Sequence, residues 1–117
     1  ELWFAWRPEG DCLQLCLSID MTVPPEMRPA AQDLIAQVNP RCWLGHFELW
    51  EDGEIIFRHG MPLMTNEQPS LAQAASMIDV AVEGADRFYP AFEFLIQGSK
   101  SPAEAIAACM FETVGEA

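Results

Sequence analysis

The segment Leu71–Ile96 constrains the fold more than any other part of this chain. Apolar residues recur along it at alternating spacings of four and three, which places them on one face of a long helix. A second apolar row runs one position earlier, about 100° around the helix axis. The first row is Leu71, Ala75, Ile78, Val82, Ala85, Tyr89, Phe92 and Ile96, and the second row is Ala74, Met77, Ala81, Phe88, Ala91 and Leu95. Because a single sheet covers only one side of a helix, two adjacent rows predict a second covering surface.

The end of this helix and the start of the next are marked in the sequence. Pro90 lacks an N–H donor and predicts a kink or a split near Tyr89. Residues 97–99, Gln-Gly-Ser, end the long helix. Ser101-Pro102-Ala103-Glu104 is a capping box with proline at the first helical position, which predicts a last helix to about Thr113. The side chains expected to be buried on that helix are Ile106, Cys109 and Met110.

A hairpin and a shorter helix are predicted at the start of the chain. Residues 2–7 alternate weakly between apolar and polar side chains and Cys12–Val23 alternate cleanly, with a turn cluster at Arg7–Asp11. The apolar face of the second strand is Leu13, Leu15, Leu17, Ile19 and Met21. The helix that follows buries Met27, Ala31, Leu34 and Val38, and Asn39-Pro40 ends it.

Trp43–Leu63 predicts a second hairpin, for which two registers compete. A two-residue loop would pair His46 with His59 on one face, which would suggest a metal site. A three-residue loop with its glycine in the left-handed conformation would pair Phe47 with Phe57. Only the second register separates apolar from polar side chains, so it is favoured, and the two histidines then face opposite ways. Its apolar face is Trp43, Phe47, Leu49, Ile55, Phe57, Met61 and Leu63, with His59 as the exception.

The predicted element order is therefore ββαββαα. This order indicates an α+β fold, in which the helices pack on an antiparallel sheet made of two hairpins. The chain has 117 residues, the size of one ordinary domain, and it shows no repeats, linkers or low-complexity segments. We therefore expect residues 1–117 to form a single domain.

The charge of the chain restricts its partners. Six basic and eighteen acidic residues leave a net charge of −12 at pH 7. A surface this acidic repels nucleic-acid phosphates and anionic lipids, so neither is an expected partner. It is suited instead to proteins with basic surfaces.

The cysteines and the chain start predict a cytoplasmic location. Cys12, Cys16, Cys42 and Cys109 form no C-x-x-C pair and no cluster with a histidine, so a reducing compartment fits better than secretion. The first residues carry neither an initiating methionine nor a basic segment typical of a signal peptide. We expect further residues upstream in the natural protein.

The chain resembles the YbjN family of bacterial sensory transduction regulators. The resemblance covers roughly residues 13–117 and rests on an ordered set of motifs: Trp43–Trp50, Phe57–His59, Arg87–Phe92, Lys100–Ala105 and Glu112–Ala117. It implies a fold similar to that of type III secretion chaperones, and a dimeric, cytosolic regulatory protein without known chemistry. Family members usually carry an N-terminal helix that is missing from this chain. No catalytic or cofactor-binding position transfers from the family.

The paired rows of the long helix are the main candidate for a dimer or partner interface. The residues predicted to form it are Met77, Ala81, Phe88, Phe92 and Leu95, and the four larger side chains among them are expected to be exposed in a single subunit. In the alternative interpretation, the sheet and the last helix cover both rows within one subunit.

A second candidate is a polar patch of His46, Glu48 and Arg58 on the other face of the sheet. An imidazole beside a carboxylate is a possible acid–base pair, but cross-strand surface pairing is the commoner reason for such a group. The sequence contains no known metal-binding or phosphate-binding motif. We therefore predict no catalytic residues, no metal and no cofactor.

These observations predict a non-enzymatic, chaperone-like or regulatory protein that acts as a homodimer and binds a protein client. The edge strand Leu2–Trp6 or the exposed apolar faces would receive the client. One alternative is a sensor that binds a small molecule or a proton between sheet and helix, with His59 reporting pH. Another is a hydrolase that uses Glu48 and His46.

Overall fold

In the part of the chain that the structure describes, four strands form one antiparallel sheet and three α-helices lie on one side of it. The computed structural model describes residues 1–6, 11–64 and 66–116, with no side-chain description beyond residue 111. The elements are β1 (Leu2–Trp6), β2 (Cys12–Thr22), α1 (Arg28–Val38), β3 (His46–Leu49), β4 (Glu54–Pro62), α2 (Leu71–Ile96) and α3 (Pro102–Glu116). The predicted order ββαββαα and the α+β class are confirmed. The predicted turn at Arg7–Asp11 lies almost entirely outside the described residues.

The strand order in the sheet is β1-β2-β4-β3, so β1 and β3 are its two edges. Both predicted hairpins are present, and they are joined by the pairing of β2 with β4. β2 changes register between Ser18 and Thr22, where Asp20 has a φ of 60°. Such an irregularity bends a strand and increases its twist.

The second hairpin has the register that the sequence favoured. Phe47 is opposite Phe57, and the loop closes with a hydrogen bond from the Trp50 N–H to the Glu54 carbonyl. Gly53 has a φ of 89°, as a three-residue loop requires. The prediction is wrong for Trp43, which lies before the strand and is 97% exposed. The chain turns at Gly45, whose φ is 78°, and β3 begins only at the following residue.

The core lies between the sheet and the helices. Phe47 and Phe57 of the sheet contact each other with ring centroids 5.1 Å apart, and Phe47 also contacts Phe88 and Phe92 of α2. α1 buries the predicted face of Ala31, Leu34 and Val38. α3 packs on α1 and α2 through Ala105, Ile106 and Cys109, so it covers part of the helix layer rather than the sheet.

α2 is one continuous helix from Leu71 to Ile96, so the split predicted at Pro90 does not occur. The proline ring removes the donor to the carbonyl of Asp86, and Asp86 is exposed, so water can hydrate that carbonyl. Ser70 caps the helix start by accepting a hydrogen bond from the Gln73 N–H. No helix in the described part of the chain is long and apolar enough to cross a membrane.

Candidate interaction surfaces

The five residues predicted to form an interface lie in the core of their own chain. Each of the five is at most 2% exposed, so the expectation that the four larger side chains are exposed in one subunit is wrong; the five are Met77, Ala81, Phe88, Phe92 and Leu95. α2 packs on β2 and β4, so the sheet covers the second row, and α3 packs against α2 as well. At these five positions the alternative interpretation is therefore correct: the residues are covered within one subunit.

The first row is only partly covered. Its C-terminal half is buried at Ala85 and Phe92, but its N-terminal half is not: Leu71 is 91% exposed and Val82 is 43% exposed. Ala75 between them is also exposed. The exposed charged residues beside this half of the row are Asp79, Glu83 and Asp86. The exposed apolar surface of α2 is thus the N-terminal half of its first row, and carboxylates lie beside it.

The largest exposed apolar side chains of the sheet are on β1. Leu2, Phe4 and Trp6 pair with Leu17, Leu15 and Leu13, so they point to the same side of the sheet as the helices. In the described residues the helices pack chiefly on β2, β3 and β4, and the three β1 side chains are 36%, 38% and 49% exposed. We call Leu2, Phe4 and Trp6 the β1 surface.

The backbone of the same three residues faces the open edge. The Ser18 N–H donates to the carbonyl of Glu1 at 2.8 Å, which makes these two residues a hydrogen-bonded pair. Because such pairs alternate along an antiparallel ladder, Trp3 and Ala5 bond to β2. The N–H and C=O groups of the β1 surface therefore point outward, where no strand of the described residues pairs with them.

The structure brings together the predicted polar patch on the other face of the sheet. His46 Nε2 lies 2.6 Å from Glu48 Oε2, and the Arg58 guanidinium donates to Glu48 Oε1 at 2.9 Å and to Gln14 at 3.2 Å. Trp50 Nε1 donates to the same Glu48 oxygen at 3.0 Å. Partial burial raises the pKa of Glu48, but hydrogen bonds from Trp50 and His46 and the charge of Arg58 outweigh it and lower the pKa overall.

This patch lacks an activated nucleophile. Cys16 lies opposite Arg58 on this face, but burial raises the pKa of its thiol despite the guanidinium, so the thiolate is disfavoured. Ser18, the next side chain on the same face, donates its hydroxyl to Glu54 at 2.7 Å rather than to His46. The carboxylate of Glu48 therefore joins the guanidinium and the imidazole in a cross-strand network.

Sequence reasoning missed that this outer face is partly covered. Trp3 on β1 and Trp50 after β3 come from opposite edges of the sheet, yet their rings meet edge to face with centroids 5.8 Å apart. Beneath them Cys16 and Ile56 are buried, at 3% and 0% exposure. The signal was the apolar Ile56 and the two tryptophans on a face otherwise predicted to be polar.

His59 lies on the helix side of the sheet, opposite Leu15, as predicted. Its partial burial lowers the pKa of the imidazole, which favours the neutral form. In the described residues, no group of three or more histidine, cysteine, aspartate or glutamate side chains is arranged to hold a metal ion.

A comparison with protein-family models identifies the family of this chain. The YbjN family model, described as "Putative bacterial sensory transduction regulator", matches residues 1–94. The match covers the whole sheet, α1 and all but the last two residues of α2, and it stops before α3. No curated protein and no solved structure matches the chain.

Proposed function

Since the chain belongs to the YbjN family, we propose that it is a non-enzymatic regulatory or chaperone-like module that binds protein segments and acts as a homodimer. The observation that carries this proposal is the β1 surface. Among the residues that the structure describes, three apolar side chains and the unpaired backbone of one edge strand are exposed together, and monomeric proteins usually protect such edges.

An extended protein segment is the occupant that fits this surface. A strand added beside β1 would take up the outward N–H and C=O groups of Leu2, Phe4 and Trp6, and its alternate side chains would extend the apolar face on which these residues lie. An amphipathic helix would contact the side chains but leave the backbone groups of the edge unpaired. The edge geometry therefore favours a strand.

The charge of the chain favours a basic segment. The net charge is −12, and Glu1 and Asp11 at the two ends of this hairpin are exposed. Alternating apolar and basic residues would place the apolar side chains against the β1 face and the positive charges in the negative field around it. Opposite charge also speeds association at low ionic strength.

The homodimer remains part of the proposal, with a different contact from the one predicted. The five residues predicted for this contact are buried in the core of their own chain, so a second copy has no access to them in the folded subunit. The exposed N-terminal first row, Leu71, Ala75 and Val82, is the apolar surface that this helix offers to a second copy.

Designed peptides test the binding proposal directly. A fluorescent peptide of alternating lysine and valine is titrated with the chain and followed by anisotropy, beside a glutamate–valine peptide of the same length. A third peptide carries N-methyl groups on its valines, which removes the N–H donors that an added antiparallel strand would direct toward β1 when its valines lie on the β1 surface. We expect the lysine–valine peptide to bind at least about tenfold more tightly than either of the others.

Variants locate the site of binding. Phe4→Ser should weaken the binding of the lysine–valine peptide at least about fivefold, because it removes the central side chain of the β1 surface. Trp43→Ser removes an aromatic side chain exposed elsewhere and serves as the matched control, with no change expected. Equal binding of the basic and acidic peptides, or indifference to Phe4→Ser, would overturn the proposal.

A further inference from the structure

A cleft of about 150 Å³ separates α2 from the segment Cys42–Leu44, which precedes β3. Val80 and the buried ring of Phe88 line it from α2, and Leu44 lines it from the opposite wall. A cavity of this size accommodates a small organic molecule of about the dimensions of benzene. The cleft lies near the β3 side of the sheet, away from the β1 surface.

Two opposite charges stand at this cleft. Glu83 and Arg87 both line it, and they are one helical turn apart on the same flank of α2. Both are exposed, and neither forms an ion pair with another side chain of the described residues. The Arg87 guanidinium carbon lies 5.0 Å from the centroid of the Phe88 ring. Its charge therefore stands directly beside the apolar wall.

The electrostatics of Cys42 place the Arg87 charge at this opening. Burial raises the pKa of the Cys42 thiol, and Arg87 acts in the opposite direction and lowers it. Cys42 lies on the wall opposite the helix, so the guanidinium acts across the cleft. A negatively charged group of a ligand in the opening would come within reach of Arg87.

We propose that this cleft binds a free apolar α-amino acid. Arg87 would bind the carboxylate, Glu83 the ammonium group, and the apolar side chain would pack against Val80, Phe88 and Leu44. A simple carboxylate would meet repulsion from Glu83, and a simple amine would meet repulsion from Arg87. Only a zwitterion with an apolar body satisfies both charges and the apolar walls.

Trp43 has a place in the same proposal. It lines the cleft and yet is 97% exposed, so its ring packs on almost nothing in the chain. A bound side chain would provide an apolar contact for the indole, which would then cover part of the opening. Indole fluorescence therefore reports binding, and Trp43→Phe should remove most of that signal while calorimetry still detects the ligand.

The test compares one amino acid with its two incomplete analogues by calorimetry. Leucine carries both charges, 4-methylpentanoate lacks the ammonium group, and 3-methylbutylamine lacks the carboxylate. The folded chain is titrated with each, and valine, isoleucine, methionine and phenylalanine complete the panel. We expect one or more of the amino acids to bind and leucine to bind at least about tenfold more tightly than either analogue.

Charge-neutralising variants make the prediction specific. Arg87→Gln should weaken the binding of leucine at least about tenfold and strengthen the binding of 3-methylbutylamine. Glu83→Gln should weaken the binding of leucine and strengthen the binding of 4-methylpentanoate. Asp79→Asn, an exposed carboxylate on the same helix outside the cleft, is the control and should change nothing. The proposal is overturned if none of the amino acids binds at about 10 mM, or if both analogues bind as well as leucine.

Discussion

Gly84 lies where α2 packs against the ring of Phe57. A Cβ atom at this position would be 2.9 Å from two ring atoms of Phe57, and one at Gly45 would be 2.4 Å from the same ring. The end of the Phe57 ring therefore lies between two glycines and cannot move away from one without meeting the other. The absence of two side chains thus allows a large aromatic residue to fill the core.

Gly84→Ala should destabilise the fold although alanine is the better helix former. The helix preference of alanine favours the variant by about 1 kcal/mol. Overpacking against a fixed ring costs about 1–3 kcal/mol, so we expect a net loss of about 1 kcal/mol in the free energy of unfolding. Urea denaturation measures it. Gly60→Ala, whose new Cβ would lie 3.4 Å from Cys12 Sγ and 4.0 Å from Gln14 Cγ, is the matched control and should stay within about 0.5 kcal/mol of the parent. A more stable Gly84→Ala variant would show that the ring can yield.

His59 gives the fold a pH dependence of defined sign. Burial lowers the pKa of the folded imidazole below its ordinary value of 6.5, so the unfolded chain binds more protons as pH falls through that value. The free energy of unfolding should therefore decrease between pH 7 and pH 5. His59→Gln should flatten this part of the curve, measured by urea denaturation at each pH, whereas His46→Asn, on the exposed outer face, should leave the contribution of His59 in place. A stability that rises toward pH 5 in the parent and not in His59→Gln would contradict the prediction.

At the scale of elements, the outer face of the sheet depends on the contact between Trp3 and Trp50. Trp50 also donates to Glu48 and lies 6.0 Å from the Arg58 guanidinium, so one side chain joins an aromatic contact to a charged network. Ile56 is fully buried on this face, although the helices of the described residues lie on the opposite side of the sheet. The two tryptophans act as a small second core.

Trp50→Ala should lower the free energy of unfolding by about 2–3 kcal/mol, because it uncovers apolar surface and removes a hydrogen bond. Trp43→Ala makes the same chemical change at a position that is 97% exposed, and it should cost less than about 0.5 kcal/mol. Ellman's reagent should also label Cys16 faster in Trp50→Ala, with Cys16→Ser identifying the signal. Equal effects of the two alanine substitutions would show that the aromatic contact does not stabilise the sheet.

The elements themselves were largely predictable from the sequence, because their signals are local. The left-handed Gly53 and the segregation of side chains fixed the register that pairs Phe47 with Phe57, and Ser101 with Glu104 fixed the start of α3. The Ser70 cap has the same kind of signature, with Gln73 three residues later, and could have been found in the same way.

The contacts between elements were not predictable in the same way. Periodicity gives the angle between two rows of α2 but does not say which row meets the sheet, so Met77 and Phe88 were placed on the wrong side. The meeting of Trp3 with Trp50 depends on the strand order β1-β2-β4-β3, which no local pattern encodes. The sequence therefore predicted an edge strand and an apolar helix surface as candidate surfaces, but it located only one of them. The edge strand β1 was identified, whereas the exposed part of α2 was not.

At the scale of the whole molecule, the net charge of −12 acts differently on the two kinds of association proposed. A basic strand at the β1 surface gains attraction that salt screens, so its binding should weaken as ionic strength rises. Two copies meeting through the first row of α2 bring Asp79, Glu83 and Asp86 toward the same carboxylates of the partner. Salt screens that repulsion and leaves the apolar contact, so dimerisation should strengthen.

Sedimentation velocity at low and high sodium chloride concentration measures this difference. We expect the dimer fraction to rise with salt, and the affinity of the lysine–valine peptide to fall over the same range. Val82→Glu should raise the dissociation constant of the dimer at least about tenfold, because it places a further negative charge in the contact. Glu93→Gln, elsewhere on α2, is its control. A monomer at both salt concentrations would refute the homodimer but would not affect the proposed β1 site. A dimer that Val82→Glu does not weaken would place the contact on another surface. The exposed Leu44 and Phe111 are then the next positions to substitute.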